Sequence, residues 1–100
     1  MGQARVVRIR YTIRAARELD EVLAAIDRLS PQGASSVKRR LSSLIDLLLQ
    51  HPEAGRLSGR RLRRVIAYPY PYFVFYRATP TEIVIHGIRH SSRNPSTMPK

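Results

Sequence analysis

Three runs in the second half of the chain decide its fold: Leu62-Arg63-Arg64-Val65-Ile66-Ala67-Tyr68, Tyr72-Phe73-Val74-Phe75-Tyr76-Arg77-Ala78 and Ile83-Val84-Ile85-His86-Gly87-Ile88-Arg89-His90. β-Branched and aromatic residues dominate each, and these favour extended backbone. Pro69-Tyr70-Pro71 separates the first two runs and Thr79-Pro80-Thr81-Glu82 the second two. Links that short join antiparallel neighbours, so the runs predict a meander. Arginine and histidine stand at their ends, and between Gly59 and Pro95 the only acid is Glu82. A sheet built for stability alone has no need of that charge.

Side chains alternate along a strand, which predicts Leu62, Arg64, Ile66 and Tyr68 on one face and Arg63, Val65 and Ala67 on the other. In the last run Val84, His86, Ile88 and His90 oppose Ile83, Ile85, Gly87 and Arg89. Both faces are partly apolar, so one buries and the other is a half-covered cationic surface.

Upstream, the apolar period changes from two to that of a helix. Thr12 caps a helix in which Ala15, Ala16, Leu19, Val22, Leu23, Ile26 and Leu29 recur at helical spacing, opposite Arg17, Glu18, Asp20, Glu21, Asp27 and Arg28. Ser30-Pro31 restarts a helix, with Gly33 leaving Ser35 as a later alternative start. Val37, Leu41, Leu44, Ile45 and Leu48 carry that face to His51-Pro52, which stops it. A link this short predicts an antiparallel helical hairpin. Leu47 and Leu49 flank the stripe and are expected to pack in the core at the helix end, the alternative being an exposed docking patch. Arg5 to Arg10 alternate as a half-buried strand free to join a sheet edge. The expected fold is α+β, in the order β-α-α-β-β-β, with the N-terminal helical hairpin on a twisted antiparallel sheet.

One hundred residues suit one domain, 1–100, with 94–100 as a loose tail. Without cysteine there is no disulfide framework and no thiolate metal site. No signal-like or membrane-spanning apolar stretch is present, so a soluble cytoplasmic protein is the expectation. Eighteen Lys and Arg against seven Asp and Glu give a net charge of +11, and all but two of the cations are arginine. Guanidinium is always charged and presents a planar fork, which suits phosphate or a partner rich in carboxylates.

Phosphate would be gripped by Arg60, Arg61, Arg63, Arg64, Arg77, Arg89 or Arg93, with Tyr68, Tyr70 or Tyr72 to stack on a base. His90 beside Arg89 and Arg93 has the chemistry of a general acid/base next to cationic stabilisers. His86 reads as structural. His51, His86 and His90 lack matched ligand spacing, and no glycine-rich phosphate loop occurs, so neither metal nor cofactor is expected.

Taken together, the opening strand, the Thr12 to Leu29 helix, Pro52-Glu53-Ala54-Gly55-Arg56, Pro71 to Arg77, and Ile88-Arg89-His90 with Arg93 resemble the RelE/ParE superfamily of type II toxin-antitoxin toxins. The resemblance spans Arg5 to Pro95. It implies a toxin neutralised by a cognate, acidic antitoxin whose tail wraps the helices and sheet, with higher-order toxin-antitoxin assembly. RelE-like members are ribosome-dependent mRNA endonucleases that use Lys, Arg, Glu, His or Tyr, whereas ParE-like members poison DNA gyrase. No lysine lies between Pro52 and Arg64 and no tyrosine follows the last strand, so the resemblance is closer to ParE. It makes Arg60, Arg61, Arg77, Arg89, His90 and Arg93 the expected target contacts. The alternative, with ribosome and mRNA as target, clamps the scissile phosphate with Arg64 and Arg77 and moves protons through His90 or Glu53. A second alternative is an inactive homologue that only binds the antitoxin.

Overall fold

The computed structural model describes residues 7–92. Arg5, Val6, Arg93 and the expected tail 94–100 lie outside them.

After β1 (Arg8–Tyr11) come α1 (Ile13–Leu29) and α2 (Pro31–Gln50), then β2 (Arg56–Leu57), β3 (Arg63–Ile66), β4 (Tyr72–Ala78) and β5 (Glu82–His90). Thr12 Oγ1 accepts the Ala15 N–H at 3.0 Å and so starts α1. Ser30 serves both helices: its N–H donates to Ile26 O at 2.8 Å, ending α1, and its Oγ accepts the Gly33 N–H at 2.9 Å, starting α2. Proline at the first position of α2 has no N–H to lose there, so the helix begins at Pro31 and not at Ser35. The one-residue link folds the helices into the expected hairpin.

β3, β4 and β5 form the antiparallel meander, and the sheet order is β1-β5-β4-β3-β2. β1 takes the edge beside β5 but runs parallel to it, Arg8 against Glu82 through Tyr11 against Ile85. The sheet is therefore mixed, not wholly antiparallel as expected, because the hairpin carries the chain back across the sheet between β1 and the meander. β2 adds two residues to the other edge, opposite Arg63 and Arg64.

A β-bulge breaks the alternation of β5. Tyr76 pairs with Ile85 but Phe75 with Gly87, leaving His86 as the extra residue. Ile88 is thereby brought to the side of Ile83 and Ile85, against the strict alternation expected. These three join Val74, Tyr76, Ala67, Ala15, Val37, Leu41, Leu44 and Leu48 in one core beneath the hairpin. Leu62, Phe75 and Val84 are also buried but belong outside that cluster. α1 is covered only in part: Ala15 alone is buried, Leu19, Val22, Leu23 and Ile26 are half-buried, and Leu29 is 90% exposed. Leu49 packs against the core as expected, whereas Leu47 remains exposed.

Candidate functional site

The loop after α2 is built around one tyrosine hydroxyl. Tyr76, fully buried on β4, donates to Pro52 O at 2.8 Å and accepts the Gly55 N–H at 2.8 Å. Burial raises the Tyr76 pKa, while the Gly55 N–H and the charge of Arg63 pull it down. A Cβ at Gly55 would lie 2.6 Å from that hydroxyl and 2.9 Å from Arg64 O, so the chain can pass here only as glycine. Arg63 Nη1 donates to Gly55 O at 2.7 Å and makes a longer bond to Glu53 O. Arg63 is thus spent on holding the loop. Glu53 lines a cleft of about 700 Å³ with His51, Arg63 and Thr79.

Between β2 and β3 the chain turns tightly, with Ser58 N–H on Leu62 O at 2.7 Å. Gly59 at φ 131° and Arg61 at φ 57° make the turn, a left-handed backbone that costs a non-glycine residue about 1–2 kcal/mol. Arg77 Nη2 donates to Arg60 O at 3.3 Å, which ties the turn to the middle of the sheet. This contact brings Arg77 to the turn that carries Arg60 and Arg61. Arg77 Nε is buried with no hydrogen-bond partner among the described residues.

The sheet face away from the hairpin carries the other cations. Register sets Arg10, Val84 and Arg77 in one row across β1, β5 and β4, and His86 follows Val84 on β5. Arg64 lies on the same face, its guanidinium 4.7 Å from the centre of the Phe73 ring, and Arg56 is its partner across β2 and β3. Burial first, then the charges of Arg77 and Arg10, hold the His86 pKa below its usual value. Glu82 is the acid of this face, and it is paired with Arg10 at 3.2 Å. That pairing lowers the Glu82 pKa.

The far end of β5 is a different place. Arg89 is only 3% exposed, and its Nε donates to Glu18 Oε2 at 3.1 Å, while Glu18 Oε1 accepts the Ile88 N–H at 3.0 Å. Arg89, one of the expected target contacts, is buried and tied to α1. The sequence around Arg89 carries no sign of an acid arriving from a helix 71 residues away. His90 is exposed, edge-on to Tyr72 at 5.4 Å, and its Nδ1 lies 2.7 Å from Ser92 Oγ. A groove of about 300 Å³ beside it is lined by Glu21, Val22 and Tyr72.

The expected target contacts thus divide. Arg60, Arg61 and Arg77 form one group, His90 lies at the other end of the sheet, Arg89 is inside, and Arg93 is not described. The expected nuclease set does not converge: Arg64 and Arg77 are on the open face, Glu53 is in the cleft, and His90 faces the α1 groove. His90 pairs with Tyr72, five residues along β4 from Arg77, about 17 Å at strand rise. The sequence reading missed Arg10 and Glu18. The first was legible in the alternation of β1 but not its position beside β5; the second had no local signal. Among the described residues no three His, Asp or Glu side chains form a metal-sized group, and no helix is long and apolar enough to cross a membrane.

A family model described as the ParE toxin of the type II toxin-antitoxin system, parDE, matches residues 9–95. The Sinorhizobium fredii protein Y4kP is 39% identical over 86 residues, covering 84% of this chain and 88% of that protein. A Caulobacter vibrioides protein named toxin RelE2 is 34% identical over 83 residues, covering 83% and 93%. In a solved structure titled as the chromosomal ParDE system from P. aeruginosa, one chain superposes with a TM-score of 0.72. At 21% identity it covers 87% of this chain and 98% of that one, which supports the α+β fold.

Proposed function

Because the chain belongs to the ParE toxin family of type II toxin-antitoxin systems, we propose that it arrests growth by binding and poisoning DNA gyrase in the cytoplasm. The observation that carries the choice of gyrase over RNA cleavage is the separation of His90 and Glu53 from the Arg64 and Arg77 face. General acid–base cleavage needs its proton carriers within hydrogen-bond reach of the phosphate its cations hold. Arg60, Arg61 and Arg77 then make the target contact through the turn, with His90 at the second end; Arg93 is a further proposed contact, outside the described residues.

Neutralisation falls to a cognate antitoxin of the ParD type. The hairpin leaves Ile13, Leu29 and Leu47 exposed, and Leu19, Val22, Leu23 and Ile26 of α1 are only half-buried. A tail both apolar and acidic would cover them and offset a +11 chain. Expression of the chain without its antitoxin, with the DNA-damage response scored against messenger cleavage, tests the reading. Damage signalling with intact messengers is expected; codon-spaced cuts would transfer the chain to the nuclease class, and undisturbed growth to the inactive homologues.

A further inference from the structure

The open face of the sheet holds more cations than Glu82, the acid paired with Arg10, can neutralise. Among the described residues, ion pairs occupy Arg10, Arg14 and Arg89, and Arg56, Arg64 and Arg77 have none. Arg77 donates through Nη2 to Arg60 O, and its buried Nε has no acceptor among the described residues. Arg10 and Arg77 flank β5 across Val84, about 10 Å apart at the spacing of strands, and His86 lies along the same strand. Arg64 stacked on Phe73 extends the charge towards β2.

We propose that this face, centred on Arg10, Arg77 and Arg64, binds the phosphodiester backbone of DNA, so that the toxin engages gyrase together with its DNA. The cations run across the strands, in the middle of a sheet. An acidic peptide adding as a strand would reach only the edges, at β1 or β2, and leave the central row unmet. A phosphate backbone needs no edge and presents charge continuously, one per ~1.7 Å of duplex. Such contacts fix position without reading sequence. Binding of this kind goes beyond the gyrase reading and does not need gyrase to be measured.

The test is fluorescence anisotropy of the purified full chain, freed of antitoxin, on a labelled 20-base-pair duplex at increasing salt. Wild type is expected to bind at 50 mM salt and to weaken steeply towards 200 mM. The R10Q/R77Q variant should lose at least tenfold and flatten the salt dependence by about two phosphates' worth. R39Q, on the exposed side of α2, should match wild type. R10Q/R64Q is measured in parallel, so that a misfolded R77Q protein does not decide the matter; it should show the same tenfold loss with an unchanged circular dichroism spectrum. No binding at 50 mM salt, or equal losses in R39Q, overturns the proposal. So does competition by polyglutamate as effective as by duplex, which marks a protein surface, or tenfold tighter binding of single-stranded RNA, which favours the nuclease class. Gyrase inhibition that persists in a variant unable to bind DNA would sink this proposal and leave the gyrase reading standing.

Discussion

Glu18 on α1 and Arg89 on β5 form a buried ion pair, Oε2 to Nε 3.1 Å, that fastens the first helix to the last strand. Beyond Tyr11 the strand β1 has ended, so the edge of β5 would be bare at Ile88. Glu18 Oε1 takes that N–H. One carboxylate therefore completes the sheet edge and binds the cation beside it.

Removing this carboxylate should be costly. Glu18→Ala removes a charged hydrogen bond to Arg89 and leaves the Ile88 N–H of the strand without its acceptor, a loss of about 1–3 kcal/mol in urea unfolding. Arg14, whose Nε lies 3.6 Å from the same carboxylate but is exposed, should change stability by about 0.5 kcal/mol or less on substitution by alanine. Equal effects at the two positions would contradict the anchoring role.

The Tyr76 hydroxyl should be equally sensitive from both sides. Tyr76→Phe strands the Gly55 N–H and Pro52 O and should cost about 1–3 kcal/mol. Gly55→Ala drives a methyl against that hydroxyl and the Arg64 carbonyl and should cost about 1–3 kcal/mol through overpacking. Because both act on one contact, the double variant in chemical unfolding should lose less than the sum of the two. Strict additivity would show that the loop is held elsewhere.

His86 sets a pH dependence. Arg10 on β1 and Arg77 on β4 face it, with Glu82 on its own strand committed to Arg10. Its folded pKa lies below 6.5, so the unfolded chain takes up the proton first. The stability this group contributes is complete above 6.5 and is lost as pH falls through the folded value. Thermal unfolding from pH 7.5 to 5 should show a decline that His86→Asn reduces. Phosphate bound at this face would reverse the shift, so DNA binding should tighten over the same interval in wild type and less in the variant.

The local elements were legible in sequence because local chemistry makes them. Ser30-Pro31 wrote the helix junction, and Pro69-Tyr70-Pro71 with Thr79-Pro80 delimited β4 to the residue. What escaped was non-local. The parallel pairing of β1 with β5 is decided by packing across the whole hairpin, and a period of two is the same for either direction. The His86 bulge moved Ile88 across the sheet, a shift that strict alternation cannot register. Arg89 looked like a strand-end cation for the same reason: its partner lies on α1. Arg60, Arg61 and Arg77 were named from charge and the family resemblance, and the fold ties Arg77 to Arg60 through a backbone carbonyl.

The most direct test of the central claim is supercoiling of relaxed plasmid by purified gyrase with increasing amounts of the purified toxin. The account predicts loss of supercoiled product with accumulation of cleaved DNA, relieved by the antitoxin and weakened at least tenfold by an R60Q/R61Q variant that remains folded. Supercoiling that proceeds undiminished at excess wild-type toxin would contradict it.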